Sequence, residues 1–443
     1  MDRNSVTELR RELGLRDLTL FAITCIVGTR WIAAAAHAGP GSITLWLLGA
    51  VFFVVPLAIA VAALTAKYPG AGGLYLWTRG DFGIWHGFLC FWVYWMSLAV
   101  WFPGAAMFYM GAALHALALP GSRLYVLAAS LLAIWIGLGT NMVGMKIGKW
   151  TENIGGASAW LLSALFVALA ALVWSRRGAA TPLDIMPRWD WNTLNVWAMI
   201  AYAMTGLELA GLMGAEVHDP ERTSPRAGWI ASGCITVFYG SATVALLVLL
   251  RPESITEMNG LAEAGDEAAR VLHSLWLAPA IALLVVASGM GQLGGIGTAV
   301  SRLPFAAGID GLLPKVFSRV HPRWHTPHVS ILALGAVATF LLTAMQLGDT
   351  MRAAYQELVS LMVIIGFLPY IYIFGSSWKA GNRVSALSGW AITALAILCA
   401  VVPTPEITNV WLFEGKLAAG TLAVIGSAWL VYRHRGNIIK VPS

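Results

Sequence analysis

The sequence predicts an all-α membrane protein of about 12 transmembrane helices, built as a 5+5 inverted-repeat fold with discontinuous helices 1 and 6. Three observations carry the membrane class and the helix count: a deficit of charge, apolar runs of bilayer length, and a one-sided distribution of basic residues. The repeat rests on two interrupted helices. Of 443 residues, 58% are hydrophobic and 11% are charged. Soluble domains hold roughly 25% charged residues, so the chain lacks the polar surface that a water-facing domain needs.

A helix rises about 1.5 Å per residue, and the hydrocarbon layer is about 30 Å thick, so a span takes about 20 residues. Apolar runs of that order occur near 18–38, 43–66, 84–116, 123–143, 154–175, 192–215, 227–250, 274–304, 328–347, 355–376, 385–402 and 417–433. The basic residues test this independently. With the N-terminus inside, 19 of the 28 Lys and Arg fall on the cytoplasmic side, among them Arg3, Arg10, Arg11, Arg16, Arg222, Arg302, Lys315 and Lys440. Eight fall outside, and Arg30 lies within helix 1. A missed helix would scramble that asymmetry. The +6 net charge therefore reads as membrane orientation, and no nucleic-acid partner is expected.

This gives a cytoplasmic N-terminal segment over 1–17, polar and read as retained rather than as a cleaved leader. A core follows over 18–376 as two inverted repeats (about 18–175 and 192–376). Two additional helices occupy 385–433, and a cytoplasmic tail occupies 434–443. The expected location is the inner membrane, multi-pass, with both termini cytoplasmic. Cys25, Cys90, Cys234 and Cys399 lie inside apolar runs without a CxxC pair and read as small core residues.

Helix 1 carries Gly28-Thr29-Arg30-Trp31 at its middle, and helix 6 carries Thr205-Gly206-Leu207-Glu208 at a similar depth. These are the first helices of the two halves; five is odd, so the second half runs in the opposite direction. Interrupted helices at matching positions are the best sequence pointer to a transporter's site, because unwound backbone in hydrocarbon must be satisfied by substrate, ion or water. Glycine alone would read as helix packing. A charge at bilayer depth costs roughly 2.5–3.5 kcal/mol and marks function by default. Arg30 and Glu208 are expected to face each other across the breaks, as an ion pair rearranged by substrate or protons or as a permanent structural pair.

Three motifs then carry a family resemblance. The stretch Glu216-Val-His-Asp-Pro-Glu-Arg-Thr-Ser-Pro-Arg226 resembles the segment after helix 6 in the amino acid–polyamine–organocation (APC) superfamily of permeases. The runs Ser301-Arg-Leu-Pro-Phe-Ala-Ala-Gly-Ile-Asp-Gly-Leu-Leu-Pro314 and Tyr68-Pro-Gly-Ala-Gly-Gly-Leu-Tyr-Leu-Trp77 resemble its helix 8–9 and helix 2–3 segments. The aromatic helix 3 (Phe91-Trp-Val-Tyr-Trp95, Val100-Trp-Phe-Pro103) is most similar to glutamate:GABA-antiporter-type members. The resemblance implies a substrate site lined by Val27, Gly28, Thr29 and Arg30, and by Tyr202, Ala203, Thr205 and Gly206. Walls would come from Ser97, Leu98, Trp101 and Phe102 on helix 3 and from Gln292 and Ile296 on helix 8. Arg30, Glu208 and Tyr202 would serve coupling and gating, with Tyr202 at the place of a gating aromatic.

Two departures matter. The family's second helix 1 glycine is replaced by Arg30, whose guanidinium would either bind a carboxylate by a fork of hydrogen bonds or fill the usual site; a cation there also disfavours polyamines. Helix 5 has no lysine of the kind some proton-coupled relatives carry, and Thr298 and Ser301 would be the hydroxyl ligands were the coupling ion sodium. No catalytic constellation is visible, and Gly144-Met-Lys-Ile-Gly148-Lys149-Trp150 fails the P-loop spacing, so neither an enzyme nor an ATP-driven pump is expected. His218–Pro225 reads as a helix terminator, with Pro220 and Pro225 as breakers.

The expected function is secondary active transport of amino acids or related small carboxylate or amine solutes by alternating access, through exchange or proton coupling. The alternatives are an amine or polyamine exchanger, and a transporter-like sensor or scaffold that binds without transporting. The expected partners are the small-molecule substrate, a proton or counter-substrate or sodium, and membrane lipid. No cofactor is implied.

Overall fold

The computed structural model describes residues 11, 13–68, 70, 72–117, 119, 122–187, 191–256, 259–274, 276–344, 351–403, 407 and 409–436. Arg3, Arg10, Arg188 and Lys440, most of the segment expected over 1–17 and most of the tail lie outside them.

The described chain is nearly all helical. Its elements are α1 (Leu15–Ile26), α2 (Arg30–His37), α3 (Gly41–Gly49), α4 (Val55–Lys67), α5 (Leu74–Phe82), α6 (Ile84–Ala116), α7 (Arg123–Met142), α8 (Met145–Arg177) and α9 (Trp191–Ala203). They continue with α10 (Leu207–Leu212), α11 (Pro220–Leu249), α12 (Gly260–Leu272), α13 (Leu277–Val300), α14 (Arg302–Ile309), α15 (His328–Ala344), α16 (Met351–Lys379), α17 (Arg383–Ala400) and α18 (Val410–Gly436). Nine helices among the described residues are long and apolar enough to cross a membrane, and α1 with α2, bent by 46°, makes ten. Two shorter apolar stretches, Val196–Leu212 and His328–Ala344, occupy the sixth and ninth places of the expected order. Large apolar side chains such as Leu124, Leu161, Leu283, Phe340, Trp411 and Leu422 stand exposed around the bundle. Lipid is the solvent that suits such a surface.

The broken helices run through the middle. All of Thr24 to Ala36 is buried, as is Leu207 to Leu212. Against α1 pack α8, α11 and α13, and against α10 pack α4, α11 and α13, with α16 beside α9. Gly155 of α8 and Gly291 of α13 lie face to face, and this contact of small residues lets the two backbones approach closely. That approach brings Gln292 and Thr298 of α13 against α1 and α8.

Three features differ from the sequence expectation. Pro220 does not end a helix: it is the first residue of α11, and Pro225 lies inside the same helix. A first-turn proline forfeits no hydrogen bond, because the early N–H groups have no helical partner. The 2–3 loop contains α5, and the segment between α11 and α13 contains the amphipathic α12, whose Leu261, Ala264 and Ala268 are buried. Both are too short to register as spans.

Ahead of α1, Leu13 pairs with the chain after α10: its N–H donates to Glu216 O at 3.0 Å and its carbonyl accepts from His218 N at 2.9 Å. Arg302 grips the Glu216 carboxylate by a fork of 2.8 and 3.1 Å, with both side chains 3% exposed. The segment before α1, the end of α10 and the α13–α14 junction are thereby joined.

Candidate functional site

Helix α1 stops at Ile26 because Val27 turns to an extended ψ of 91°, and the chain re-enters helix at Arg30. Helix α9 stops at Ala203, and Gly206 takes a left-handed φ of 118° before α10. The two breaks touch: a Cβ built on Gly206 would stand 2.7 Å from Ile26.

Several of the freed backbone groups find protein partners. Cys25 O accepts Gln292 Nε2 at 3.1 Å, and Gln292 Oε1 accepts the Tyr109 hydroxyl at 2.5 Å. Ile26 O accepts the Tyr239 hydroxyl at 2.8 Å, and Gly28 N donates back to that oxygen at 2.9 Å. On the second break, Tyr202 O accepts both the N–H and the hydroxyl of Thr205, at 3.0 and 2.7 Å. Gly206 N donates to Glu208 Oε2 at 3.1 Å.

The breaks flank a cavity of about 30 Å³, lined by Trp101, Tyr202, Ala203, Thr205, Gly206, Gln292 and Ile296 among the expected residues. Leu98, also expected on the helix 3 wall, lines it too, and Cys25, Ile26, Trp31, Tyr94, Leu209, Gly366 and Tyr370 complete the wall. A water takes about 10–15 Å³ by this measure, so the space fits about two waters, and an amino acid requires the walls to part. Trp31 and Tyr202 close over it edge to face, with centroids 6.0 Å apart, and Tyr202 meets Phe367 in the same way at 5.9 Å. Val27, Gly28, Thr29, Arg30, Ser97 and Phe102 are buried beside the cavity without lining it; Ser97 Oγ donates to Tyr94 O at 2.8 Å.

The ion pair expected between Arg30 and Glu208 is not formed in this conformation. Glu208 Oε1 accepts the hydroxyls of Tyr94 at 2.5 Å and Tyr370 at 2.7 Å, so with Gly206 N its oxygens are occupied by neutral donors. Arg30 faces elsewhere. Its guanidinium lies 4.1 Å from the Trp31 ring centroid and 5.3 Å from that of Trp101, with Nη2 3.8 Å from Met362 Sδ. Arg30 is 2% exposed, and its Nε and Nη1 have no hydrogen-bond partner among the described residues.

The sodium ligands expected at Thr298 and Ser301 are engaged otherwise. Thr298 Oγ1 donates to Glu152 Oε1 at 2.9 Å, and Ser301 Oγ donates to Thr298 O at 2.8 Å. Arg302 Nη1 donates to Thr298 O at 2.5 Å and to Ser301 Oγ at 3.1 Å. A sodium ion at these hydroxyls would meet a guanidinium already in place.

Sequence reasoning missed Tyr94, Tyr109, Glu152, Tyr239 and Tyr370. Glu152 falls in the polar stretch between the runs at 123–143 and 154–175, where a carboxylate is unremarkable. The others look like ordinary membrane-helix aromatics until their partners, far off in sequence, are known.

The comparisons with known proteins agree with this architecture. The amino acid permease family model matches residues 13–424. An uncharacterised transporter of Legionella pneumophila is 24% identical over 95% of this chain and 96% of its own. The serine/threonine exchanger SteT of Bacillus subtilis is 25% identical over 75% of this chain and 77% of its own. Among solved structures, the crystal structure of MhsT in complex with L-phenylalanine superposes with a TM-score of 0.65 at 14% identity, covering 96% of this chain and 100% of that one; at that identity the likeness is one of fold. Two broken helices crossing in the middle of a multi-pass bundle, and a family match over nearly the whole chain, lead to one conclusion: the chain belongs to the amino acid permease family of the APC superfamily and is a secondary transporter of amino acids, not an enzyme.

Proposed function

We propose that the protein carries amino acids across the inner membrane by alternating access, receiving the substrate carboxylate beside the α1–α2 break with Arg30 as its charge partner. The observation that carries this reading is the buried guanidinium with two unpartnered nitrogens next to the cavity wall. A charge at bilayer depth costs roughly 2.5–3.5 kcal/mol, and desolvated cation–π contacts return about 2 kcal/mol each. The Trp31 and Trp101 rings thus offset the charge, but not the unmade hydrogen bonds, at about 1–3 kcal/mol for each buried group. A carboxylate supplies both the countercharge and the acceptors.

Coupling by exchange or by protons suits the site better than coupling by sodium, because Thr298 and Ser301 already hold a guanidinium. Glu208, held by two phenols against the second break, is the coupling carboxylate of this reading, and Tyr202 is the gate. A fixed cation beside the cavity disfavours amines and polyamines as cargo. The asymmetry of basic residues supports cytoplasmic termini.

The test is uptake into proteoliposomes of radiolabelled L-amino acids and, in parallel, of labelled putrescine. Accumulation or exchange of an amino acid, with no flux of putrescine, is expected. Flux of the amine without the amino acid would overturn the reading, and binding without any flux would point to a sensor.

A further inference from the structure

One side chain serves both broken helices. The Tyr239 hydroxyl accepts the Gly28 N–H at 2.9 Å, and its single proton is directed at Ile26 O at 2.8 Å, with Ala203 O also in reach at 3.3 Å. Gly28 and Ile26 flank the break between α1 and α2, and Ala203 ends α9, so a phenol from α11 spans the two repeats. Its position is fixed. The ring is fully buried and stacks on Trp46 of α3 at 4.3 Å and 3° between planes, and the Trp46 indole N–H donates to Thr243 Oγ1 at 3.0 Å.

Unpaired backbone groups are not tolerated at bilayer depth. In a carrier whose breaks depended on substrate for partners, closing around an unloaded site would strand those groups, and only the loaded carrier would cross. Here a protein hydroxyl supplies the missing donor and acceptor. When a substrate carboxylate reaches Gly28 N–H, it offers an acceptor of its own, so the phenol matters least in the loaded carrier.

Resting on the reading of the chain as an amino-acid transporter, we propose that Tyr239 is the positioning residue that lets the unloaded carrier close and reorient, so that the protein performs net transport as well as exchange. The Tyr239→Phe variant keeps the ring and its stack on Trp46, and loses only the hydroxyl.

The experiment compares wild type and Tyr239→Phe in proteoliposomes preloaded with a radiolabelled mixture of the standard L-amino acids. Efflux is followed into buffer alone, and separately into buffer containing the unlabelled mixture. Wild type is expected to release label in both. In Tyr239→Phe the ratio of net efflux to exchange should fall about tenfold, the effect of one lost hydrogen bond on a rate. A merely structural role would lower both fluxes together, and that result overturns the proposal, as does an unchanged ratio. Should Tyr239→Phe not fold, Thr243→Val, which frees Trp46 behind the phenol, should lower the same ratio; no change in that variant overturns the proposal equally. Wild type that exchanges but shows no net efflux contradicts the inference alone. Wild type with neither flux contradicts the transport reading and the inference with it.

Discussion

The Tyr370 hydroxyl donates to Glu208 Oε1 across 2.7 Å, joining α16 to the first turn of α10 from 162 positions away in sequence. Tyr94 of α6 donates to the same oxygen, and the other oxygen takes the N–H of Gly206. The carboxylate is therefore a junction of three elements around the second break.

Removing one donor should loosen that junction without emptying it. Tyr370→Phe is expected to destabilise the protein by about 1.5–3 kcal/mol, the range of a hydrogen bond to a charged group. Thermal unfolding in detergent checks this, with Tyr372→Phe, on the same helix but away from Glu208, as comparison. Equal melting of wild type and Tyr370→Phe would mean that Glu208 is held by other means.

Gly206 has a φ of 118°, and an added Cβ would meet Ile26 at 2.7 Å. Gly206→Ala combines backbone strain of about 1–3 kcal/mol with a collision between the two breaks, so it should melt earlier and lose transport. At Gly228, in α11, a Cβ would meet nothing within 4 Å, and Gly228→Ala should be neutral or slightly stabilising, since Ala is the better helix former. Unfolding curves of the two variants side by side test the contrast.

Outside the membrane-spanning segments, Glu267 of α12 takes a fork of hydrogen bonds from Arg270 at 2.9 and 2.7 Å and an ion pair from Arg177 at 2.7 Å. The Arg270 hydrogen bond, with the Arg177 charge beside it, holds the Glu267 carboxyl below its ordinary range. A depressed carboxyl contributes stability above its unfolded value of about 4.3 and loses it as pH falls through the lower folded value. Wild type should thus exceed Glu267→Gln in stability at neutral pH, by at most about 1 kcal/mol for a pair this near the surface, and the difference should vanish in acid. Melting temperature against pH for the two proteins gives the answer.

Much of the fold was legible in the sequence because lipid imposes a coarse and regular demand, apolar runs of bilayer length, which the long helices follow. The breaks were legible for the same reason, since Gly28-Thr29-Arg30 and Thr205-Gly206 interrupt runs that otherwise read as continuous helix. Their partners were not. Glu208 and Arg30 looked complementary because they were the two charges at matching depth, but charge says nothing of which way a side chain leaves its helix. Glu208 caps its own helix start and meets phenols, while Arg30 turns to tryptophan faces. Tyr239 gave no sign, because a tyrosine in an apolar run reads as packing until the carbonyls it serves are located. Helices α5 and α12 escaped because both are shorter than a span.

The most direct test of the account is ligand-induced thermal stabilisation of wild type and Arg30→Ala, measured in parallel against L-amino acids, dicarboxylates and amines. A ligand at a hundredfold its dissociation constant stabilises the state it binds by about 2.7 kcal/mol. Amino acids are expected to stabilise wild type and to lose most of that effect in Arg30→Ala. Stabilisation by amino acids in Arg30→Ala but not in wild type would contradict the account, because it would make the arginine an occupant of the site rather than its anchor.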